Sequence, residues 1–269
     1  KPGRYVGGEL NQVVKPWDSV STHLALIFPE LYDLGLPNLG MAILYDEVNK
    51  RSDALAERAY CPWTDMEAEM RTAGIPLFSL ESKHPLAQFD ILAFSLPYES
   101  LYTNVLTILD LAGLPVLAEE RGDDHPLVIA GGHAAFNPEP MSAFIDAFAI
   151  GEGEELIHEI VDAHQAWKAS GQPRQALLRA LAGIPGVYVP ALYRITYQED
   201  GIIAAVTPTD SCASMPVVKR IVGQLPPPVQ DNGRVRVEKR DGSGNVSRAQ
   251  GHDFVLPVER GPVPHRHRE

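Results

Sequence analysis

Two stretches with glycine pairs decide the fold: Ile129-Ala-Gly-Gly-His-Ala-Ala-Phe-Asn-Pro-Glu-Pro140 and Ala149-Ile-Gly-Glu-Gly-Glu-Glu155. Each follows a short apolar segment of strand length, Leu127–Ala130 and Ala147–Ile150. Glycine at the end of a strand permits a sharp turn and lets a ligand approach the backbone closely. In parallel α/β sheets, ligands bind beyond the carboxyl ends of the strands. The two stretches therefore predict one pocket built from adjacent loops; the alternative is that each is a tight turn.

The rest of the chain alternates strand-like and helix-like segments. Thr22–Phe28 is an apolar run of strand length, as expected of a strand that is covered on both faces. This alternation is typical of βαβ crossovers and predicts an α/β fold with a Rossmann-like (flavodoxin-like), doubly wound parallel sheet. Further strands are predicted at Ala54–Tyr60, Leu77–Leu80 and Phe89–Ser95. Helices are predicted at Asn38–Asn49, Thr64–Ala73, Leu101–Leu111, Glu154–Ala169 and Arg174–Leu181. Asn38 is the expected N-cap of the first of these helices, and a capping box is expected at the start of the second.

The pattern changes along the chain and predicts four regions. Residues 1–20 form an N-terminal arm, and residues 21–171 form the Rossmann-type domain. Residues 172–224 form a small appendage with a β-hairpin, and residues 225–269 form a Pro-rich linker and a disordered tail. In residues 230–269 only nine of 40 side chains are apolar, against 45% overall, which is too little to offset the entropy cost of ordering.

Composition excludes several classes of protein. The net charge of −12 argues against a nucleic-acid surface, which needs a basic stripe. The longest apolar stretches, such as Val105–Ala118, are too short to span a bilayer, and no apolar leader segment begins the sequence. The two cysteines, Cys61 and Cys212, lie too far apart in sequence to form a metal-ligand pair. We therefore expect a cytoplasmic protein without a metal site, a membrane contact or a nucleic-acid partner.

Candidate binding residues lie at the ends of the predicted strands. Ser95 offers a hydroxyl at the last position of its strand, although it could equally cap a turn. His133 directly follows Gly131-Gly132 and is the one histidine at a predicted strand end. The amides of Gly151-Glu152-Gly153 could hold an anionic or amide-bearing ligand, whereas the Glu152 carboxylate simply suits the first turn of a helix. No phosphate-binding loop, dinucleotide fingerprint or nucleophilic triad is recognisable.

Together these motifs resemble the N-terminal half of radical SAM proteins that carry a cobalamin-binding-like domain. The resemblance extends over about residues 3–229. It rests on Arg4-Tyr-Val-Gly-Gly-Glu-Leu-Asn11, Leu26-Ile-Phe-Pro-Glu-Leu-Tyr-Asp33, Asn38-Leu-Gly-Met41, Ser95-Leu-Pro-Tyr-Glu99, Gly131-Gly-His133 and Gly151-Glu-Gly-Glu154.

The resemblance implies a cofactor site and a partner. The cofactor is cobalamin, and the partner is a radical SAM barrel in the same polypeptide. S-adenosylmethionine and a [4Fe–4S] cluster are implied only for the full-length parent. The cofactor-binding residues that the resemblance implies are Glu30, Leu31, Tyr32, Gly35, Asn38, Ser95, Leu96, Pro97, Gly131, Gly132, His133, Gly151, Glu152 and Gly153.

The sequence departs from that family in two respects. The stretch Glu30–Gly35 contains no histidine, so cobalamin would lack its usual axial ligand. The C-x3-C-x2-C triad that holds a [4Fe–4S] cluster is also absent, so we expect this chain alone to have no radical chemistry. We interpret it as truncated before the barrel. The alternatives are a module that binds no cofactor and instead packs on the barrel or presents a substrate, and an independent enzyme that uses Glu30, Asp33 or Glu99.

Overall fold

The computed structural model describes residues 2–223 and, further along the chain, the backbone of two short strands. The strands are β1 Thr22–Phe28, β2 Ala54–Tyr60, β3 Ile91–Ser95, β4 Leu127–Gly131, β5 Ala147–Ala149, β6 Val187–Tyr188, β7 Tyr193–Tyr197, β8 Ile203–Pro208, β9 Lys239–Arg240 and β10 Val246–Ser247. The helices are α1 Tyr32–Gly35, α2 Leu39–Lys50, α3 Thr64–Ala73, α4 Tyr102–Leu111, α5 Leu156–Ser170 and α6 Arg174–Ala182.

Six strands form the main sheet, in the order β2-β1-β3-β4-β5-β6. The first five are parallel, and β6 pairs antiparallel with β5. The order 2-1-3-4-5 is that of flavodoxin-like sheets, with crossover helices on both faces. The predicted α/β, Rossmann-like architecture with an added antiparallel hairpin, β7–β8, is confirmed.

The apolar sequence of β1 fits its position inside the sheet. The strand is buried almost throughout and pairs with both β2 and β3. Strand β2 is also fully buried although it contains Glu57 and Arg58. The Arg58 guanidinium donates to Glu81 over 2.7 Å and stacks on the Tyr45 ring, and the Glu57 carboxylate accepts from the Ser82 hydroxyl. These partners make burial of the two charges tolerable.

Two of the predicted helix termini are confirmed and one is wrong. The Asn38 side chain accepts from the Met41 amide over 3.0 Å, which confirms it as the N-cap of α2. Gly74 ends α3 in the left-handed conformation, as predicted. The predicted capping box at Thr64 is wrong: Trp63 occupies the cap position without a side-chain hydrogen bond, and Thr64 is already helical.

The predicted strand Leu77–Leu80 is also wrong. Its amides bond to three different places: Leu77 N–H to the Leu111 carbonyl, Ser79 N–H to the His84 carbonyl and Leu80 N–H to the Arg58 carbonyl. Only an isolated bridge, Phe78 to Pro85, is formed. The segment therefore covers the outer edge of β2 instead of adding a strand to the sheet.

The N-terminal arm is anchored firmly to the domain. The Lys15 ammonium donates to the carbonyls of Asn49, Arg51 and Ala54 at 2.6–2.9 Å. The Trp17 ring is stacked between two imidazoles, with centroids 3.7 Å from His23 and 3.8 Å from His84.

Part of the predicted appendage, 172–224, belongs to the main sheet, because β6 pairs with β5. Residues 2–223 fall within one compact unit. Of the predicted linker and tail, 225–269, only the backbone of β9 and β10 is described, and these strands pair antiparallel. The rest of that prediction lies outside the described residues. Within the described part of the chain, no helix combines the length and the apolar character needed to cross a membrane.

A buried charge cluster stabilises the amino-terminal end of β4 and β5. One Asp146 carboxylate oxygen accepts from the Val128 amide (2.8 Å), from Arg174 Nη2 (2.8 Å) and from Arg121 Nε (3.3 Å). The Arg121 side chain is fully buried and also donates to the carbonyls of Pro115, Val116 and Phe144, and burial lowers the pKa of its guanidinium.

We expect the buried His164 on α5 to make folding pH-dependent. The residue is 3% exposed, Nδ1 has no hydrogen-bond partner among the described residues, and burial lowers the pKa of the imidazole to about 4. Asp90 opposes this shift, whereas Lys168 and Arg174 add to it. Between pH 6.5 and 4 the unfolded chain therefore binds one proton more than the folded chain, so stability falls as the pH is lowered through this range.

We expect His164→Leu to remove this contribution, which is on the order of 3 kcal/mol between pH 7 and pH 4 at 1.36 kcal/mol per pKa unit. Urea denaturation of wild type and variant at pH 4, 5, 6 and 7 measures the difference. Equal losses of stability in the two proteins on acidification would contradict the assignment.

Candidate functional site

The loops that sequence analysis singled out leave the main sheet at one edge. Ser95, the last residue of β3, lies opposite Gly131, the last residue of β4, which in turn lies opposite Ala149. On the other side of β3, β1 ends at Phe28, opposite the end of β2. We call this the carboxyl edge: the ends of β1–β5 with the loops 29–38, 95–101, 131–141 and 150–155. The structure thus brings Ser95, Gly131 and Gly151 to the same edge.

Gly132 is required by the protein's own packing. Its φ of 102° and ψ of −177° are accessible in practice only to glycine. A Cβ at this position would lie 2.6 Å from the Leu96 carbonyl oxygen. The Leu96 amide donates to the Gly131 carbonyl over 2.7 Å, and the Ala134 amide donates to the Leu96 carbonyl over 2.9 Å. The fully buried Leu96 thereby joins the loops that follow β3 and β4.

Gly131 differs from Gly132, because the fold does not require glycine at position 131. A Cβ would lie 3.5 Å from the Ala149 carbonyl oxygen, an ordinary contact distance. Glycine within a strand weakens it and often marks close approach of a ligand or another backbone. The neighbouring Ser95 is half-buried, and its hydroxyl has no hydrogen-bond partner among the described residues. This pair is the part of the carboxyl edge that internal packing does not explain.

The predicted anion-binding loop, Gly151 to Gly153, is partly engaged by the chain itself. Residues 209–223, which we call the strap, cross it at Arg220. The Arg220 amide donates to the Ile150 carbonyl (2.8 Å), and the Glu152 amide donates to the Arg220 carbonyl (3.1 Å). A Cβ on Gly151 would overlap the Arg220 backbone.

The same strap also binds carboxylates near the start of α5. The Glu152 carboxylate accepts from the Val222 amide, and the Arg220 guanidinium pairs with Glu155 and Glu159. Gly153 packs against the Leu44 side chain, 3.2 Å from an added Cβ. Sequence analysis missed the strap, because no local signal in residues 209–223 indicates their contact with Gly151.

The loop after β1 is occupied by structural contacts. The Glu30 carboxylate accepts from the Leu31 amide over 3.0 Å, and the Tyr32 hydroxyl donates to Glu9 of the arm over 2.5 Å. Burial and this hydrogen bond raise the pKa of Tyr32. A Cβ on the buried Gly35 would meet the Tyr60 ring at 2.6 Å, so Gly35 is needed for packing. Asn38 is engaged as the N-cap of α2.

Exposed apolar side chains occur in the segments that follow β1, β3 and β4. They are Leu34, Leu39, Tyr98 and Phe136, each between 42% and 67% exposed. His133 is also exposed, and Pro97 is half-buried. Sequence analysis missed these apolar residues, although their position after predicted strands was a usable signal.

Two cavities of the described domain lie away from Ser95, Gly131 and Gly151. One, of about 20 Å³, lies between the arm and α3 and has room for about one water molecule. The other, of about 300 Å³, is lined by Ser21, Gln165, Lys168 and Ala169.

The carboxylates considered as acid or base do not form a catalytic arrangement. Asp33 pairs with Arg4 over 2.6 Å, and Glu30 accepts from a backbone amide. Within residues 2–223 no three His, Cys, Asp or Glu side chains are grouped so that they could hold a metal ion. Burial raises the pKa of the Cys61 thiol to about 12, so it is not a reactive thiolate.

The sequence of residues 40–190 matches the family described as radical SAM proteins, N-terminal. This chain belongs to that family. The match includes β2–β6, α3–α6 and nearly all of α2, and thus most of the carboxyl edge, including Ser95, Gly131 and Gly151. No protein of curated function matches the radical SAM N-terminal domain described here.

One solved structure is similar to this radical SAM N-terminal domain. It is the radical S-adenosylmethionine methyltransferase TsrM from Kitasatospora setae, with tryptophan substrate and a SAM analogue (aza-SAM) bound. The identity is 16% and the TM-score is 0.37. The match covers 70% of this chain but only 31% of TsrM. A likeness of this degree carries no argument about ligands or reaction.

Proposed function

We propose that this chain is the accessory domain of a radical SAM enzyme and that its carboxyl edge binds a cobalamin-type cofactor. The observation that carries the proposal is the pair formed by Ser95 and Gly131 on neighbouring parallel strands. The Ser95 hydroxyl is free to bond to a ligand, and the glycine opposite it has no packing reason in the fold. Parallel α/β sheets bind their ligands at this edge.

The chemistry of the surrounding residues fits such a cofactor. Leu34, Leu39, Tyr98 and Phe136 follow strands that end at this edge, and their exposed apolar side chains are suited to contact with a large ring. Ser95 can donate to or accept from amide groups of the ligand. A bound cobalamin would supply a redox-active cobalt centre. Residues 30–35 contain no histidine that could bind cobalt, so this chain would hold the cofactor through contacts with its ring and side groups.

S-adenosylmethionine and the [4Fe–4S] cluster belong, in this proposal, to a radical SAM domain in the same parent polypeptide. The two cysteines of this chain cannot provide the three thiolates that such a cluster needs. The role of this domain is then to hold the cofactor and to bind the radical SAM domain.

A second candidate is an interaction module without a cofactor, which packs on the radical SAM domain or presents a substrate. It is favoured by the packing of Gly132 against Leu96 and of Gly151 against Arg220, since both glycines then serve the fold itself. The two functions differ in whether the domain binds a corrin.

Hydroxocobalamin binding separates the two candidates. We expect the chain to co-elute with hydroxocobalamin in gel filtration at tens of micromolar, with a change in the visible spectrum. Gly131→Val should reduce binding at least tenfold without a loss of folding, because its side chain occupies the space beside Ser95. Ala204→Val, on the exposed strand β8, is the matched control and should bind normally. Absence of co-elution with the wild-type chain would rule out the cofactor and favour the interaction module.

A further inference from the structure

The end of the described domain concentrates exposed apolar side chains. We call residues 193–223, which comprise β7, β8 and the strap, the hairpin–strap segment. Fifteen large hydrophobic side chains are exposed among the described residues, and six of them lie in this segment. The segment is only a small part of residues 2–223. They are Tyr197, Ile202, Ile203, Met215, Val218 and Ile221.

The edge strand β8 lacks the features that usually protect a free edge. Ile203–Pro208 contains no charged residue, and its first three residues are exposed. Its backbone pairs with β7 on one side, and no other described residue pairs with it. Natural edge strands are normally blunted by charge, by proline or by a covering segment, and here only the terminal Pro208 does so. A two-stranded hairpin is also only marginally stable without a partner.

The segment does not share the acidic charge of the chain that precedes it. Residues 193–223 contain three basic and three acidic side chains and are neutral, whereas residues 1–192 contain 12 basic and 26 acidic ones. Interface cores are enriched in aromatic side chains and methionine, and Tyr197 and Met215 are exposed in this segment. Two copies of this chain would repel each other through the acidic remainder.

We infer that the hairpin–strap segment is the surface on which the radical SAM domain of the parent protein packs; this inference rests on the proposed function. The segment begins directly after the family match, which ends at residue 190, and the strap leads into the part of the chain that follows the domain. A domain attached at this point is present at a high effective concentration, so a modest apolar surface suffices to hold it.

The test combines the full 269-residue chain with the purified radical SAM domain of a longer member of this family. Binding is measured by sedimentation velocity, and the contact is located by amide hydrogen exchange. We expect protection of residues 203–207 and 215–221 in the mixture. Ile203→Lys and Val218→Lys should each weaken binding at least tenfold. The matched controls, Leu10→Lys and Val14→Lys, change aliphatic residues on the arm that are at least as exposed, and they should leave binding unchanged.

Three outcomes would overturn the inference: absence of association, protection confined to other surfaces, or equal weakening by the control variants. Protection of β8 in the chain alone, together with dimer formation, would assign the surface to a second copy. Melting curves by circular dichroism confirm that each variant is folded. Hydroxocobalamin binding should be unaffected by Ile203→Lys, so failure of the cofactor proposal and failure of this inference are separate results.

Discussion

Asp146→Ala is expected to lower the free energy of unfolding by about 3–5 kcal/mol, because the two buried guanidinium groups of Arg121 and Arg174 then lose their shared counter-charge. The Asp146 carboxylate is 3% exposed and also accepts from the Val128 amide, so the variant loses a β4 contact as well. Since domains are stable by only about 5–15 kcal/mol, the loss should be evident as a large fall in the urea midpoint.

Asp162→Ala is the matched control for that measurement. Asp162 also pairs with an arginine, Arg51 at 2.7 Å, but its side chain is 63% exposed. Exposed ion pairs contribute about 0–1 kcal/mol. A loss below about 1 kcal/mol for Asp146→Ala, or equal losses for the two variants, would show that the buried cluster does not stabilise the domain.

Gly132→Ala is the second substitution with a large expected effect, about 2–5 kcal/mol. The residue would have to adopt a φ of 102° with a Cβ 2.6 Å from the Leu96 carbonyl oxygen. Gly131→Ala is the matched control one residue earlier. It should change stability by less than about 1 kcal/mol, since alanine is the better strand residue and the added methyl meets only ordinary contacts.

Urea denaturation of the two glycine variants, followed by far-UV circular dichroism, measures both values. The contrast between them separates a glycine that the fold needs from a glycine that it does not need. If Gly131→Ala were the more damaging variant, Gly131 would have a packing role, and the argument that it is kept for a ligand would fail.

The architecture could be predicted from the sequence because local runs of apolar residues mark the strands. The apolar run Thr22–Phe28 coincides with β1, and Ala54–Tyr60 coincides with β2. Leu77–Leu80 has the same apolar character but is not a strand of the sheet. Its hydrogen bonds go to Arg58 and Leu111, and no local pattern records those tertiary partners.

The candidate site could be predicted only in part. The strand ends placed Ser95, Gly131 and Gly151 at one edge, as the register shows. Glycine is required at positions 132 and 151 by tertiary contacts. Gly132 contacts Leu96 and Gly151 contacts Arg220, and both partners are distant in sequence. The sequence pattern predicts the same ligand-binding role for all three glycines, whereas the structure distinguishes Gly131 from Gly132 and Gly151.

A corrin site at the carboxyl edge can be tested by NMR, by recording the amide spectrum of the isotopically labelled chain during titration with hydroxocobalamin. We expect the amide signals of Ser95, Gly131 and the residues around Tyr98 and Phe136 to shift. The signals of residues that line the opposite cavity, such as Gln165 and Lys168, should stay in place. Shifts confined to that opposite cavity, or an unchanged spectrum at saturating ligand, would contradict a corrin site at the carboxyl edge.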